Sequence, residues 1–202
     1  MAKLKQYQQH DLAEISLVLA SAFRDYEVMR YLFSDSGQCY QQHVQGYFNA
    51  LLSMSLTNNW PRLGIYTEGQ WVAATIAYHS SAADVAAGSD KALQQFCQQL
   101  SPHTQQRIDY YESRADAAHP STPHFFIDSL GCLPQHEGKG YAKILLQALQ
   151  QLSQQHPDSG GVCLNTESSL NLPVYQHVGY NIISTQTISS LTSWCLFKAD
   201  SD

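Results

Sequence analysis

The chain has 202 residues, which is the length of one domain with a sizeable core. A hydrophobic fraction of 44% and a charged fraction of 14% are typical of a folded protein and exclude a disordered one. Eleven basic residues against seventeen acidic ones give a net charge of -6. This balance argues against a nucleic-acid partner and favours neutral or cationic small molecules.

The cysteines and histidines predict neither disulfides nor a metal site. Five cysteines are scattered along the chain without a CxxC pair, and none of the nine histidines forms an HxH or i, i+4 pair. No segment approaches the roughly 20 apolar residues of a membrane helix. We therefore expect a cytoplasmic protein without a resident metal and without a membrane partner.

The N-terminal half predicts helices around one hairpin. Lys3 to Tyr7 reads as a first strand, and Asp11 as the cap of a helix whose apolar stripe runs to Phe23. A second helix is predicted over Tyr40 to Leu56. Two β-rich runs, Arg62 to Thr67 and Trp71 to His79, flank Glu68-Gly69-Gln70 and predict an antiparallel hairpin.

The later elements alternate between helix and strand. Ser80 to about Ala118 predicts two polar helices, interrupted at Gly88 and Pro102. A strand over Phe125 to Leu133 then leads through glycines into an amphipathic helix whose stripe starts at Ala142. The remaining prediction is a strand, a short helix and two further strands, listed in order as Val162 to Thr166, Leu172 to Val178, Tyr180 to Ile188 and Ser193 to Lys198.

The sequence EGKGYA, from Glu137 to Ala142, is the strongest functional signal. It lies at the point where the predicted strand passes into the amphipathic helix. A glycine-rich turn at a helix start presents unpaired backbone N–H groups and the positive end of the helix dipole. This pattern predicts a phosphate-binding loop. It is not a nucleotide-hydrolysing P-loop, because no Ser or Thr follows Lys139.

The loop resembles that of the GNAT superfamily of acetyl-coenzyme A dependent acyltransferases, whose pattern is Q/R-x-x-G-x-G/A after a proline. Pro134 is followed by Glu137, Gly140 and Ala142 at those spacings, with Glu137 in place of the usual Gln or Arg. A register over Gln135, Gly138 and Gly140 also satisfies the pattern, but it begins very close to Pro134.

A second landmark of the superfamily is the segment NLPVYQHVGY, which contains Asn171, Tyr175, Gly179 and Tyr180. Together with the N-terminal segment SAFRDYEVMRYLF, it is similar to the puromycin N-acetyltransferase branch. The resemblance implies an α/β GNAT fold with a mixed, mostly antiparallel sheet of about six or seven strands, a splayed parallel pair and flanking helices. It also implies one domain over 1–202, with acceptor-pocket helices in 1–118 and the coenzyme-binding half in 119–202.

The resemblance implies acetyl-CoA as the co-substrate. Backbone N–H groups of Gly138 to Ala142 would hold the pyrophosphate, and Lys139 and Lys143 would add positive charge. The strand before the loop would offer backbone groups to the pantetheine. The full implied set is Leu130, Cys132, Leu133, Glu137, Gly138, Lys139, Gly140, Tyr141, Ala142, Lys143, Asn171 and Tyr175.

Two side chains are predicted to move protons. The Tyr175 phenol, with an ordinary pKa near 10, would protonate the departing thiolate; its alternative role is aromatic packing. Asp128 lies four residues before Cys132, on the same expected strand face, and is the predicted base; its alternative role is a structural hydrogen bond. His124, His79 and Glu27 are less favoured bases. Cys132 is expected to contribute its backbone, not a nucleophilic thiolate.

The resemblance also implies that the loop after the first helix, from Arg24 to Ser36, and the second helix wall the acceptor pocket. Tyr26, Met29, Tyr31 and Phe33 are candidate walls or core residues. The acceptor is predicted to be a primary amine of a small molecule, attacked directly in a ternary complex. The alternatives are a non-catalytic acyl-CoA sensor and an acetyltransferase for protein N-termini or lysines. A homodimer is a further possibility that the sequence leaves open.

Overall fold

The computed structural model describes residues 1–81 and 91–200. The predicted interruption at Gly88, and the helical start expected shortly after Ser80, fall on 82–90 and so lie outside the described residues. Seven strands occupy the described chain: β1 (Lys3–Gln6), β2 (Arg62–Thr67), β3 (Gln70–His79), β4 (Phe125–Cys132), β5 (Gly161–Thr166), β6 (Asn181–Ile188) and β7 (Leu191–Ala199).

The described residues also form seven α-helices: α1 (Leu12–Phe23), α2 (Glu27–Leu32), α3 (Tyr40–Thr57), α4 (Lys91–Cys97), α5 (Pro102–Asp116), α6 (Tyr141–Gln155) and α7 (Leu172–His177). The predicted elements are confirmed to within a few residues. α2 was not predicted, because its six residues are too short to show a helical period. The predicted capping role of Asp11 is wrong: its carboxylate accepts from the Gln8 N–H (2.8 Å) and the Trp71 indole N–H (3.1 Å).

All seven strands form one sheet in the order β1-β2-β3-β4-β5-β7-β6. Every neighbouring pair is antiparallel except β4 and β5, which are parallel. The predicted mixed sheet with a parallel pair is therefore confirmed. Ligands of such sheets collect beyond the carboxyl ends of parallel strands, which directs attention to the ends of β4 and β5.

Helices cover both faces of the sheet. α6 buries Leu145, Leu146 and Leu149 against the central strands, and each buried leucine contributes roughly 1.5–3 kcal/mol. α1 and α3 pack on the opposite face. α1 approaches β4 so closely at Gly131 that an added Cβ would lie 2.7 Å from the Ala22 Cβ. Glycine at this position therefore sets the distance between the end of α1 and the strand.

The parallel pair is short, and this creates an opening in the sheet. β4 pairs with β5 only from Phe125 to Ile127, opposite Val162 to Leu164, although β4 continues to Cys132. Beyond Ile127 the two strands diverge. The backbone edge of β4 on that side is left without a strand partner over the last residues of the strand.

A β-bulge occurs at the point of divergence. Ile76 is opposite Ser129 and Ala77 is opposite Ile127, so Asp128 is the extra residue on β4. A bulge changes the alternation of side chains along a strand. The expectation that Asp128 and Cys132 share a face, which assumed regular alternation, therefore does not follow from their spacing.

Candidate active site

A cavity of 510 Å³ opens where β4 and β5 diverge. Its walls come from the end of α1, from α3 and α5, from β3 to β5 and from the start of α7. Carboxylates and aromatic rings dominate the lining. No Lys or Arg is found among the lining residues that the structure describes. A cavity of this size and shape is the default candidate for a ligand site.

The diverging edge of β4 offers backbone groups to the cavity. Leu133 donates its N–H to Val72 O on β3 (2.9 Å), and its own carbonyl accepts from the His136 N–H (2.8 Å). Because backbone groups alternate in direction along a strand, those of Cys132 and Leu130 face the side that β5 has left. Leu130 and Cys132 thus fit the predicted backbone role. Leu133 does not, because both of its backbone groups are already bonded within the chain.

The predicted phosphate loop begins α6. Gly138 and Gly140 have φ values of +72° and +79°, in the left-handed region that favours glycine. Among the hydrogen bonds of the described residues, none uses a backbone N–H between Gly138 and Lys143; the first such bond runs from Ile144 N to Gly140 O (3.2 Å). Consecutive unpaired N–H groups at a helix start form an anion-binding cradle.

Charged side chains surround this loop. Glu137, Lys139 and Lys143 are exposed, and the Lys139 ammonium lies 3.2 Å from His136 Nδ1. Tyr141 stacks on the His136 ring, with ring centroids 6.4 Å apart. Glu137 also lines the mouth of the cavity. The loop residues therefore fit a diphosphate through backbone and lysine groups, while the Glu137 carboxylate opposes it.

Asn171, directly before α7, and Tyr175, within α7, both line the cavity. Burial, followed by the nearby Glu167 carboxylate, raises the pKa of Tyr175 to about 12. The phenol is therefore fully protonated at neutral pH and has an O–H proton to donate. Asn171 occupies the N-cap position of α7 without a side-chain cap, and its amide N–H donates to Thr166 Oγ1 (3.2 Å).

Three neighbouring carboxylates line the cavity, of which Glu112 and Asp128 are half-buried and Asp116 is exposed. Asp128 comes from the bulge of β4, and Glu112 and Asp116 lie one turn apart on α5. Burial, then the charges of Asp128, Asp116 and Asp109, raises the pKa of Glu112 to about 7. Burial raises the pKa of Asp128 to about 6, although the Ser129 hydroxyl donates to it (2.6 Å). Burial thus contributes most to both shifts and the neighbouring carboxylates contribute less, and a cation bound among them would favour their charged forms.

The helix that carries two of these carboxylates is firmly anchored. Ser101 caps α5 by accepting from the Thr104 N–H (3.1 Å). Asp35, in the loop after α2, accepts from the Ser101 hydroxyl (2.6 Å), from the Thr104 hydroxyl and from the Arg107 guanidinium. These hydrogen bonds hold the pKa of Asp35 well below its usual range. The anchor fixes α5 against the N-terminal half.

Glu167, directly after β5, forms the most extensive side-chain network of the cavity. Its Oε1 accepts from the hydroxyls of Tyr111 (2.9 Å) and Ser193 (2.7 Å), and its Oε2 accepts from the Tyr26 hydroxyl (3.3 Å). The Glu167 N–H donates to Tyr26 Oη (2.9 Å), which also lies 2.9 Å from Thr166 Oγ1. Burial raises the pKa of this carboxyl group despite the three donors.

The structure brings together only part of the predicted acceptor wall. Tyr26 and Met29 line the cavity, as predicted, whereas Tyr31 and Phe33 do not. Phe33 is 1% exposed and packs against Tyr47 and Phe96 in the core. These two were expected beside Tyr26 because the segment was read as a loop. α2 turns them onto other faces.

The alternative bases are less well placed. His79 lines the cavity, and burial lowers its pKa. His124 is buried with its Nδ1 2.7 Å from the Thr122 carbonyl, and Glu27 is exposed; neither lines the cavity. Burial raises the pKa of the Cys132 thiol to about 11, which does not favour a thiolate nucleophile.

Sequence reasoning missed Glu112, Asp116 and Glu167, as well as the aromatic walls Tyr47, Trp60, Tyr78 and Tyr111. One signal was available: Glu167 immediately follows a predicted strand, where α/β sheets place their ligand-binding groups. The i, i+4 spacing of Glu112 and Asp116 on a predicted helix was a weaker signal, since such pairs usually face solvent.

Residues 1–81 and 91–200 contain neither a metal-ligand cluster nor a membrane-spanning helix. No group of three or more His, Cys, Asp and Glu side chains is arranged to hold a metal ion. No helix in this part of the chain is long and apolar enough to span a membrane.

Comparisons with known proteins agree with this geometry. Residues 100–180 match the sequence model of the acetyltransferase (GNAT) family. No curated protein matches the chain by sequence. Among solved structures, an agmatine N-acetyltransferase in its apo form is similar at 12% identity over 98% of this chain and 99% of that chain, with a TM-score of 0.65.

Two further structures show the same fold. A histone acetyltransferase HPA2-related protein from Corynebacterium glutamicum has 13% identity over 100% of this chain and 97% of that chain (TM-score 0.68). The Drosophila melanogaster polyamine N-acetyltransferase has 14% identity over 98% of each chain (TM-score 0.64). The chain therefore has the fold of GNAT acetyltransferases. The part of the chain that matches the family model, residues 100–180, contains the predicted phosphate loop and the strand before it.

Proposed function

We propose that this protein transfers the acetyl group of acetyl-CoA to a primary amine of a small cationic molecule, by direct attack in a ternary complex. One observation carries the proposal: a loop of unpaired backbone N–H groups lies at a helix start beside a cavity lined by carboxylates and aromatic rings. The loop suits a diphosphate, and the cavity suits an amine.

The residues that would hold the coenzyme follow the diverging edge of β4. Backbone N–H groups from Gly138 to Lys143 would bind the pyrophosphate, with Lys139 and Lys143 adding charge. The backbone groups of Leu130 and Cys132 would bind the pantetheine, with Asn171 and Tyr175 on the opposite side. When bound, acetyl-CoA supplies the acetyl thioester.

Asp128 and Tyr175 would carry the proton transfers. An alkylammonium must lose its proton before it can attack, and a base with a pKa near 7 or just below is ionised at neutral pH. With its pKa raised to about 6, Asp128 meets this condition. Tyr175 stays protonated and would donate to the sulfur as negative charge develops on it.

The cavity lining favours an acceptor with an apolar body and more than one positive charge. Glu112, Asp116 and Asp128 provide negative charge, and the described lining offers no Lys or Arg to neutralise it. Aromatic rings such as Tyr47 and Tyr78 supply flat apolar walls and faces for cations. The solved agmatine and polyamine N-acetyltransferases, which share the fold, act on amines of this kind.

The direct test is a thiol-release assay with acetyl-CoA and three classes of acceptor: short diamines with agmatine, aromatic monoamines, and a lysine-containing peptide. We expect turnover to be fastest with the diamines and agmatine, and Tyr175→Phe to slow it. Preference for the peptide would favour a protein acetyltransferase. Binding of acetyl-CoA without turnover of any amine would favour the sensor instead.

Three finer predictions accompany this proposal. We propose that residues 1–202 are one domain, in which 1–118 supply the acceptor wall and 119–202 the coenzyme site. The similarity to the puromycin N-acetyltransferase branch stays a prediction based on the segment around Asn171 and Tyr175. A homodimer likewise stays a prediction.

A further inference from the structure

Glu167 joins three parts of the chain that are distant in sequence. Its partners are Tyr26 after α1, Tyr111 on α5 and Ser193 on β7. Glu167 itself is 7% exposed and lies where β5 ends beside the cavity. Tyr26 and Tyr111 line that cavity together with Tyr175. The carboxylate therefore connects the acceptor wall to the strand end that carries the coenzyme side of the site.

The chemistry of the network requires an acceptor at this position. Each of the three side-chain partners is a hydroxyl, and an ionised carboxylate offers only acceptor atoms. Tyr26 is held twice, because its oxygen accepts from the Glu167 N–H and its proton lies within reach of Oε2. Thr166 extends the chain of hydrogen bonds to the Asn171 amide. Linked hydrogen bonds of this kind fix side-chain positions more firmly than isolated ones.

We infer that Glu167 is a positioning residue: it holds the hydroxyls of Tyr26 and Tyr111 so that the acceptor wall keeps a fixed place relative to Tyr175. The inference rests on the proposed acetyl transfer to an amine. It goes beyond that proposal because it assigns Glu167 a role in acceptor binding that does not depend on proton transfer. The Asn171 amide is bonded to Thr166 and not to the Glu167 carboxylate. Loss of that carboxylate should therefore weaken acceptor binding and leave coenzyme binding unchanged.

The test compares Glu167→Ala with Glu167→Gln in steady-state kinetics, with agmatine as the probe amine. The amide oxygen of glutamine keeps the bonds from Tyr111 and Ser193. The N–H group of the glutamine amide would donate to Tyr26 Oη. The Tyr26 hydroxyl would then donate its own hydrogen bond to Thr166 Oγ1. Glutamine thus preserves the positions and removes the charge.

We expect Glu167→Ala to raise the KM for agmatine by about tenfold or more, and Glu167→Gln to stay within about threefold of the wild type. The dissociation constant for acetyl-CoA should stay within about twofold in both. Tyr111→Phe should raise the KM in part. Ser153→Ala, which removes a buried hydroxyl far from the cavity, controls for general destabilisation.

Three results would overturn the inference. Equal impairment of Glu167→Gln and Glu167→Ala, with a changed pH profile, would assign the charge a direct catalytic role. Wild-type kinetics in Glu167→Ala, or in Tyr111→Phe if the alanine variant does not fold, would leave no positioning role. A wild-type protein that binds acetyl-CoA but acetylates no amine would overturn the proposed function, and the inference about Glu167 with it. This outcome differs from the first two, because those compare the variants with an active wild type.

Discussion

Substitution of Gly140 by alanine isolates the backbone conformation of the phosphate loop. Gly140 has a φ of +79°, and a Cβ added there would meet no atom within 4 Å. Gly69, at the tip of the β2–β3 hairpin, has the same properties with a φ of +83°. Since neither methyl group meets a neighbour, both substitutions introduce backbone strain alone. Gly69→Ala is therefore a matched control outside the loop.

The strain sets an upper limit to the effect. An alanine in the left-handed region costs roughly 1–2 kcal/mol. If the alanine at position 140 keeps a positive φ, this cost lowers the free energy of unfolding. If the residue instead relaxes to a negative φ, binding of acetyl-CoA must restore the original conformation, and the cost then lowers the affinity for acetyl-CoA. Because the residues from Glu137 to Gly140 are exposed, we expect relaxation. The dissociation constant for acetyl-CoA should then rise by about 5-fold to 30-fold.

Calorimetric titration with acetyl-CoA and urea unfolding of each variant measure both quantities. Gly140→Ala should lose affinity, Gly69→Ala should lose only stability, and Gly140→Glu should abolish binding because it adds a carboxylate to the cradle. The reasoning would be refuted if Gly140→Ala changed neither stability nor affinity, or if Gly69→Ala weakened acetyl-CoA binding to the same extent.

Four further predictions concern charges and proton transfer. Tyr175→Phe should lower kcat by about 100-fold with unchanged acetyl-CoA affinity, since a general acid contributes about 10²–10⁴-fold; an unchanged kcat would assign Tyr175 to packing. In the wild type, kcat/KM should rise with pH through about pH 6 and then level off, because Asp128 loses its proton in this range. Asp128→Asn should remove this rise. A pH-independent kcat/KM in the wild type would exclude Asp128 as the base. Because the pKa of Glu112 is raised to about 7 in the folded state, its contribution to stability is present below pH 4.5 and is lost as the pH rises through 7. The stability gained by Glu112→Gln over the wild type should therefore be larger at pH 8 than at pH 4, by on the order of 2 kcal/mol. Urea midpoints of variant and wild type that differ equally at both pH values would contradict this. Glu137→Gln should tighten acetyl-CoA binding about fivefold by removing about 1 kcal/mol of repulsion, and weaker binding in calorimetry would show that the carboxylate contacts the coenzyme favourably.

The elements that sequence reasoning found are those with a strong period or a turn signal. The stripe of Leu145, Leu146 and Leu149 predicted α6, and the glycines around Gly138 and Gly140 predicted the loop before it. Both features are local, since each depends on residues within a few turns of chain.

The features that sequence reasoning missed depend on contacts between distant segments. The bulge at Asp128 arises from the register with β3 and leaves no mark on spacing. Glu167 gains its role from Tyr26 and Tyr111, which are 141 and 56 residues away. Glu112 lines the cavity only because α5 packs beside it, and nothing in the local sequence distinguishes it from a solvated helix residue. The position of the phosphate loop was thus predictable from the sequence, whereas most of the cavity wall was not.

One incubation tests the central claim most directly. The protein is mixed with acetyl-CoA labelled in its acetyl group and with a mixture of short diamines and agmatine, and both small molecules and intact protein are followed by mass spectrometry. Acetyl transfer predicts label on an amine, free coenzyme A and no label on the protein. Label retained on the protein, with Cys132 as the modified residue, would contradict direct transfer, and label remaining entirely on coenzyme A would contradict the proposed activity.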